Sequence, residues 1–193
     1  MIVKSLEPVI DERAWFLILG AAPDETSVSR RQYYADRYNI FWDVMATASG
    51  FELPLTYEER IGYLRAKRIA LWYVIAECER EGDIDSSIRN EQPNDFAWLY
   101  STYPGLKTVL FNGAKAERLY RKYFGNLSRK HRLPFDFPWG WATMPSTSAT
   151  PVRPMRYVRP CADRMRLGSR YVDSFVFKRL AGYDKPLEER SGK

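Results

Sequence analysis

One histidine and two cysteines are all that 193 residues offer for imidazole catalysis, thiol chemistry or soft-metal ligation. Cys78 and Cys161 are too few for an iron–sulfur cluster or a four-thiolate zinc site. In a reducing compartment they read as buried thiols rather than a disulfide. His131 stands in the polar stretch LSRKHRLP and reads as a solvated loop residue. A Ser-His-Asp or Cys-His mechanism would rest on that residue alone. The expected activity uses no metal, no cofactor and no histidine. Long apolar runs are lacking too: none approaches the ~20 residues of a membrane helix. The start, MIVKSLEPVIDERAW, places acidic residues and proline where a signal peptide has its apolar core. The expected setting is cytoplasmic and off the membrane.

What is present fits one globular domain. Hydrophobic residues make up 45% and charged residues 28%, which suits a packed core. Aromatics reach 15%, and Tyr and Trp supply the excess. The net charge of +6 is concentrated: residues 153–179 carry eight basic side chains against Asp163 and Asp173, while the rest of the chain balances. A basic segment of this kind suits contact with a polyanion; the plain alternative is a solvated Arg-rich surface. In VRPMRYVRP, Arg153, Arg156 and Arg159 recur every third residue and would share one edge of a polyproline geometry. The expected division is an α/β domain over 1–150 and a basic extension over 151–193 packed on it.

Strand and helix patterns alternate through the first part. AWFLILG, IALWYVI and LKTVLFNG are short continuous apolar runs and read as buried strands, with WGWATMPSTS as a fourth. NIFWDVMATASGF places apolar residues at 40, 41, 44, 45 and 48, a helical spacing stopped at Gly50. LTYEERIGYLRAK opens with Thr56 and Glu59, a capping box. PNDFAWLYSTY reads as a short helix started by Asn94. AKAERLYRKYF reads as an amphipathic helix with Leu119, Tyr120, Tyr123 and Phe124 facing inward. This alternation predicts a parallel sheet covered on both faces, with ligands bound beyond the carboxyl ends of its strands. The polar loops GAAPDETS, NGAK and PSTSAT fall at those ends.

RRQYYADRYNIFW, directly after the first of these loops, packs three Arg, three Tyr, an Asn and a Phe-Trp pair into thirteen residues. Taken with GAAP, LPLTYEERI, CEREGDIDSSIR, PNDF, FNG and PSTS in that order, it resembles the uracil-DNA glycosylase superfamily. The nearest branch is that of the hypoxanthine-DNA (deoxyinosine) glycosylases, themselves similar to mismatch-specific uracil and thymine glycosylases. The match spans roughly residues 15–148, and the ordered set is far more specific than any one motif. The resemblance implies a three-layer α/β/α sandwich with a central four-stranded parallel sheet. It implies hydrolysis of the N-glycosidic bond of a flipped, deaminated base in double-stranded DNA. A nucleoid-associated monomer is the expected form.

Such chemistry needs an aromatic face and hydrogen bonds to hold the extruded base. Fixed dipoles can then orient water and steady the leaving group without a covalent nucleophile. Matching block by block, the resemblance implies Asn39 of YNIFW as the catalytic residue and Tyr34 as the aromatic that stacks on the base. The turn at Ala22 and Asn112 of FNG become base-binding. Ser27, Arg89, Ser146 and Ser148 become DNA contacts, while Arg153 and Arg156, beyond the matched blocks, are expected to meet the DNA backbone because of the charge of their segment. Simpler readings stand beside these: Asn39 as cap of a helix starting at Ile40, Tyr34 as core filler, Asn112 as a turn residue, and Asp85 paired with Arg89.

Two departures matter. The branch has Gly-Ser-x-Pro-Gly where this chain has Gly20-Ala21-Ala22-Pro23-Asp24, so a hydroxyl is lost at Ala21. Asp24 replaces a glycine; it either orients water or marks lost activity. After PSTSA the Arg-rich sequel leaves the branch's pattern, so the role of the residue that fills the vacated stack does not carry over. The competing expectations are a uracil/thymine mismatch glycosylase and an inactive glycosylase-like DNA-binding module.

Overall fold

The computed structural model describes residues 2–49, 52, 55–81, 88–125 and 141–144, with backbone alone at 47–49 and 141–144. The elements run β1 (Ile2–Lys4), β2 (Phe16–Gly20), α1 (Glu25–Arg30), α2 (Phe41–Ser49), α3 (Tyr57–Ala66) and β3 (Ile69–Tyr73). They continue with β4 (Ile75–Glu79), β5 (Arg89–Pro93), α4 (Phe96–Thr102), β6 (Thr108–Asn112), α5 (Ala114–Phe124) and β7 (Trp141–Met144).

The apolar runs FLILG, IALWY and TVLFN are buried at every position because both of their faces are covered. They lie side by side in a sheet of order β3-β2-β6-β7 whose pairings are all parallel. Successive side chains point to opposite faces. Phe16, Ile18, Ile69, Leu71, Tyr73 and Leu110 therefore pack with Phe41, Trp42, Met45, Ile61 and Leu64 from α2 and α3. Leu17, Leu19, Ala70, Trp72, Val109 and Phe111 pack on the other face with Phe96, Leu99, Leu119, Tyr120 and Phe124 from α4 and α5. Each fully buried side chain of this size contributes roughly 1.5–3 kcal/mol.

The expectation of a single sheet is corrected. A second sheet of order β1-β4-β5, antiparallel throughout, stands beside the first. IALWYVI is not one strand: the chain leaves β3 at Val74 and enters β4 in the other sheet. The run is apolar across this junction because Val74 and Ile75 are fully buried in both settings. At the junction Val74 N donates to Gly20 O at 2.8 Å and Ile75 N to Ala21 O at 3.1 Å, so the strand change fastens the turn after β2.

Helix starts follow from capping chemistry. Thr56 and Glu59 form the expected capping box, with Glu59 N donating to Thr56 Oγ1 at 3.2 Å and Thr56 N to Glu59 Oε2 at 2.7 Å. The cap of α4 is Asp95 rather than Asn94, with Trp98 N donating to Asp95 Oδ1 at 2.8 Å. Asn94 instead donates from Nδ2 to Tyr73 O at 2.9 Å and steadies the strand junction. In α5, Leu119, Tyr120 and Phe124 are buried, and half-buried Tyr123 donates from its hydroxyl to Glu91 O at 3.3 Å. Among the described residues no helix is long and apolar enough to cross a membrane. The loop PSTSAT and the basic segment 151–193 lie outside the described residues.

Candidate active site

A cavity opens where β2, β3 and β6 end. Gly20 is level with Tyr73 in the pairing of β2 with β3, and Asn112 is one register step beyond the Leu19–Phe111 pair. Gly20, Tyr73 and Asn112 thus meet at the carboxyl edge of the sheet, where open parallel sheets bind ligands. Ala21 and Ala22 of the following turn, Asp24, Tyr34, Asn39 and Arg80 complete the walls. The cavity measures about 20 Å³, room for about one water and far less than a nucleobase.

Five residues singled out from the sequence converge here: Ala22, Asp24, Tyr34, Asn39 and Asn112. Asn39 is half-buried just before α2, and its Oδ1 accepts from Phe41 N at 3.0 Å. The helix begins at Phe41 rather than Ile40, so this is an Asx turn leading into the helix. Satisfying a helix N–H and lining the cavity are therefore not exclusive for this side chain. The carbonyl oxygen retains a second lone pair, and the amide nitrogen carries two donors.

Tyr34 is 6% exposed, and its ring stacks on Phe41 with centroids 3.8 Å apart and an interplanar angle of 19°. Its φ of 54° is left-handed, which costs a non-glycine residue roughly 1–2 kcal/mol. Both neighbours are pinned. Tyr33 N donates to the Tyr57 hydroxyl at 3.0 Å, Trp42 Nε1 donates to Tyr33 O at 3.1 Å, and the Tyr33 hydroxyl donates to Glu7 O at 2.9 Å. On the other side Ala35 N donates to Ser27 Oγ at 3.1 Å. Burial pushes the phenols of Tyr73, in the wall, and of Tyr33, stacked behind it, well above their ordinary range, so both are neutral at physiological pH.

Asp24 does not need the left-handed backbone that a glycine would supply. Its φ is −78° and its ψ 168°, ordinary extended values. It caps α1, a helix that begins inside the stretch GAAPDETS, read from the sequence as loop, and runs on to Arg30. Ser27 N donates to Asp24 Oδ1 at 2.6 Å, and Ser27 Oγ donates to Oδ2 at 2.9 Å. Ser27, an expected DNA contact, is fully buried in this network, where its hydroxyl links Asp24 to the Tyr34 loop. Asn112 is 7% exposed at the end of β6, and Gly113, at φ 94°, makes the turn after it. The turn reading thus belongs to Gly113, which leaves the Asn112 carboxamide to line the cavity.

Arg89 is exposed on β5 of the antiparallel sheet and is not part of the cavity wall. Ser146, Ser148, Arg153 and Arg156 lie outside the described residues, as do Asp85 and His131. Arg80 was missed. It follows β4 and is 3% exposed, with Nη1 donating to Pro23 O at 3.0 Å and Ala22 O at 3.4 Å. In the sequence it sits in ECEREG, a run of charges with the look of a solvated edge. Nothing local marks it as buried.

No protein-family model matches the chain. A hypoxanthine DNA glycosylase of Methanosarcina barkeri (strain Fusaro / DSM 804) is 40% identical over 114 residues, spanning 58% of this chain and 72% of that protein. A hypoxanthine DNA glycosylase of Methanosarcina acetivorans is 39% identical over 117 residues, spanning 60% of this chain and 74% of that one. Among solved structures, the solution structure of a candidate uracil DNA glycosylase from Methanosarcina acetivorans superposes with a TM-score of 0.63 at 34% identity. That match covers 77% of this chain and 86% of the other.

Proposed function

The chain belongs to the hypoxanthine DNA glycosylases of the uracil-DNA glycosylase superfamily, and we propose that it excises hypoxanthine, with uracil as a second substrate, from double-stranded DNA. It is a DNA N-glycosylase, a hydrolase acting on deaminated bases. The observation that carries the finer reading is the meeting of Asn39, Tyr34, Asn112 and the Ala21–Ala22 turn in one cavity at the carboxyl ends of the strands.

In this reading the damaged nucleotide leaves the stack and its base enters the cavity. Tyr34 offers an aromatic wall, and the Asn112 carboxamide meets the base edge. Hypoxanthine shows a carbonyl beside a ring N–H, and uracil repeats that order. A carboxamide pairs with both, donating to the carbonyl and accepting from the ring N–H. Adenine and cytosine present the reverse order and leave such a carboxamide mismatched, which favours deaminated bases. Asn39 orients a water through its remaining lone pair. The water oxygen bonds to C1′ as the C1′–N bond breaks, and the bonding pair leaves with the base. The water's proton passes to solvent, because an amide is too weak a base to keep it. The described cavity is too small for a base, so its walls must part for a base to enter.

The reading of an inactive module leans on Asp24 and on the altered C-terminal tail, and the tail lies outside the described residues. The ordinary backbone of Asp24 and its two bonds to Ser27 make it a cap that keeps the turn in place. The experiment is direct. Full-length protein is incubated with duplexes holding one inosine, one uracil, a G·T mismatch or no lesion, followed by alkaline cleavage. Strand scission at inosine is expected, more slowly at uracil, and none in undamaged duplex. Cleavage confined to G·T would establish the mismatch reading instead, and no cleavage anywhere would refute the catalytic one.

A further inference from the structure

We infer that Tyr38 is a positioning residue that enters the DNA stack beside the extruded nucleotide and holds the duplex open while the base lies in the cavity. The inference rests on the glycosylase reading and adds to it a DNA contact at the rim of the site. Of the cavity wall, Asp24 and Asn39 are half-buried and the other residues are buried. The cavity therefore meets solvent at those two residues, and a strand that feeds a base into it has to lie across them. Tyr38 directly precedes Asn39, which puts its Cα about 3.8 Å from that of a rim residue, and it is 60% exposed. The other large apolar side chains so exposed among the described residues, Ile2 and Trp98, sit on β1 and α4, which supply nothing to the wall.

A single exposed aromatic is common and means little by itself. This one is braced. Asp36 Oδ1 accepts from Tyr38 N at 2.8 Å and Asn39 N donates to Asp36 O at 3.0 Å, so a tight turn fixes the backbone on both sides of the ring. The Arg37 guanidinium lies 4.4 Å from the ring centroid, and its Nη2 donates to the Tyr38 hydroxyl. A ring held in this way gives up little further freedom when it stacks on a base. The turn carries one acid, half-buried Asp36, and one base, exposed Arg37, so the side that faces solvent presents a cation to the phosphates. Extruding a nucleotide gives up its stacking on both neighbours and leaves a gap in the duplex. An aromatic face stacks on any base, which suits a contact that has to serve wherever the damage falls.

The test separates opening the duplex from the chemistry. Full-length wild type, Tyr38→Ala and Tyr38→Phe are titrated with a duplex holding a tetrahydrofuran abasic site and with the same duplex undamaged. Tyr38→Ala, a surface change that leaves folding intact, should reduce the preference for the abasic duplex by roughly 5- to 150-fold, the worth of one stacked base. Its affinity for undamaged duplex should stay unchanged. Single-turnover excision of hypoxanthine should slow by a similar factor. A pyrene nucleotide opposite the lesion fills the vacated place itself and should restore the rate to within a few-fold of wild type. Tyr38→Phe keeps the ring and should stay within a few-fold of wild type in both assays. An abasic preference that is absent from the wild type or unchanged in Tyr38→Ala would overturn the inference. So would an excision loss that pyrene leaves in place, since that loss would come from a disturbed Asn39. A wild-type protein that excises no base would refute the glycosylase reading, a separate outcome, and the abasic titration would still decide the role of Tyr38.

Discussion

Replacing Asn39 separates two roles that one side chain holds together. In the structure Asn39 Oδ1 accepts from Phe41 N at 3.0 Å. Losing that bond in Asn39→Ala removes a partner from the first helical N–H of α2. A half-buried neutral bond is worth roughly 0.5–1.5 kcal/mol. For a chain of this length that lowers Tm by about 2–4 °C per kcal/mol. Losing a dipole that orients the reacting water costs more, roughly 2.7–4 kcal/mol of barrier, or ~10²–10³ in rate. Asn39→Ser tells the effects apart. Serine can make the same local turn to Phe41 N, although more weakly, but its polar atom sits one bond closer to the backbone, it lacks the amide nitrogen, and it cannot reach as far into the cavity. Asn39→Ser should therefore keep most of the melting temperature yet excise inosine as slowly as Asn39→Ala. Both should bind abasic-site DNA like the wild type. The assay is single-turnover excision beside thermal melting and titration with abasic duplex. Recovery of Asn39→Ser to within a few-fold of the wild-type rate would show that Asn39 serves the helix and not the chemistry.

Gly20→Ala would place a Cβ 2.8 and 2.9 Å from two Tyr73 ring carbons and 3.2 Å from the Tyr34 hydroxyl. The Tyr73 ring is backed by Tyr33, stacked at 4.8 Å, so overpacking should cost about 1–3 kcal/mol in denaturant unfolding; an unchanged unfolding midpoint would show that the wall yields freely. Tyr34→Ala should slow excision by roughly the 1–3 kcal/mol of a stacked base, while Tyr34→Phe stays near wild type. Equal losses in the two would move the role from the ring to the hydroxyl. Changing Arg153, Arg156 and Arg159 together to Gln should flatten the dependence of log affinity on log salt by about two to three units, with base preference unchanged. An unchanged slope, with a lower Tm, would make these arginines partners of the protein's own carboxylates.

How far the fold could be read from the sequence depended on which signals are local. FLILG and TVLFN announce buried strands, because residues covered on both faces must be apolar at every position. Thr56 and Glu59 announce a helix start, because the capping box lies within four residues. The second sheet left no comparable trace. β5 reads Arg-Asn-Glu-Gln-Pro and β1 has three residues, so their pairing comes from register against β4 rather than from an apolar pattern. The bend at Val74 was hidden for the opposite reason: apolar residues suit both sheets, and an unbroken run gives no sign of where one ends. α1 carried a readable signal, Asp24 three residues before Ser27, but its six residues hold no apolar stripe.

The candidate site divides along the same line. Tyr34, Asn39 and Asn112 came from an ordered set of motifs, and the structure brings them to one cavity although they span 79 positions of the chain. The residues that hold them there were illegible, because each acts across the fold. Ser27 looked like a loop hydroxyl, yet it joins the Asp24 cap to Ala35 beside Tyr34. Tyr57 looked like a helix aromatic, yet its hydroxyl accepts from Tyr33 N on the other side of Tyr34. Between these two bonds sits the left-handed backbone of Tyr34. A strained residue persists only where its surroundings over-determine it, and pinned strain of this kind concentrates in ligand sites. The strain makes Tyr34 costly to keep in place and the two bonds make it costly to release. A segment balanced in that way can give way when a base enters and return when the product leaves.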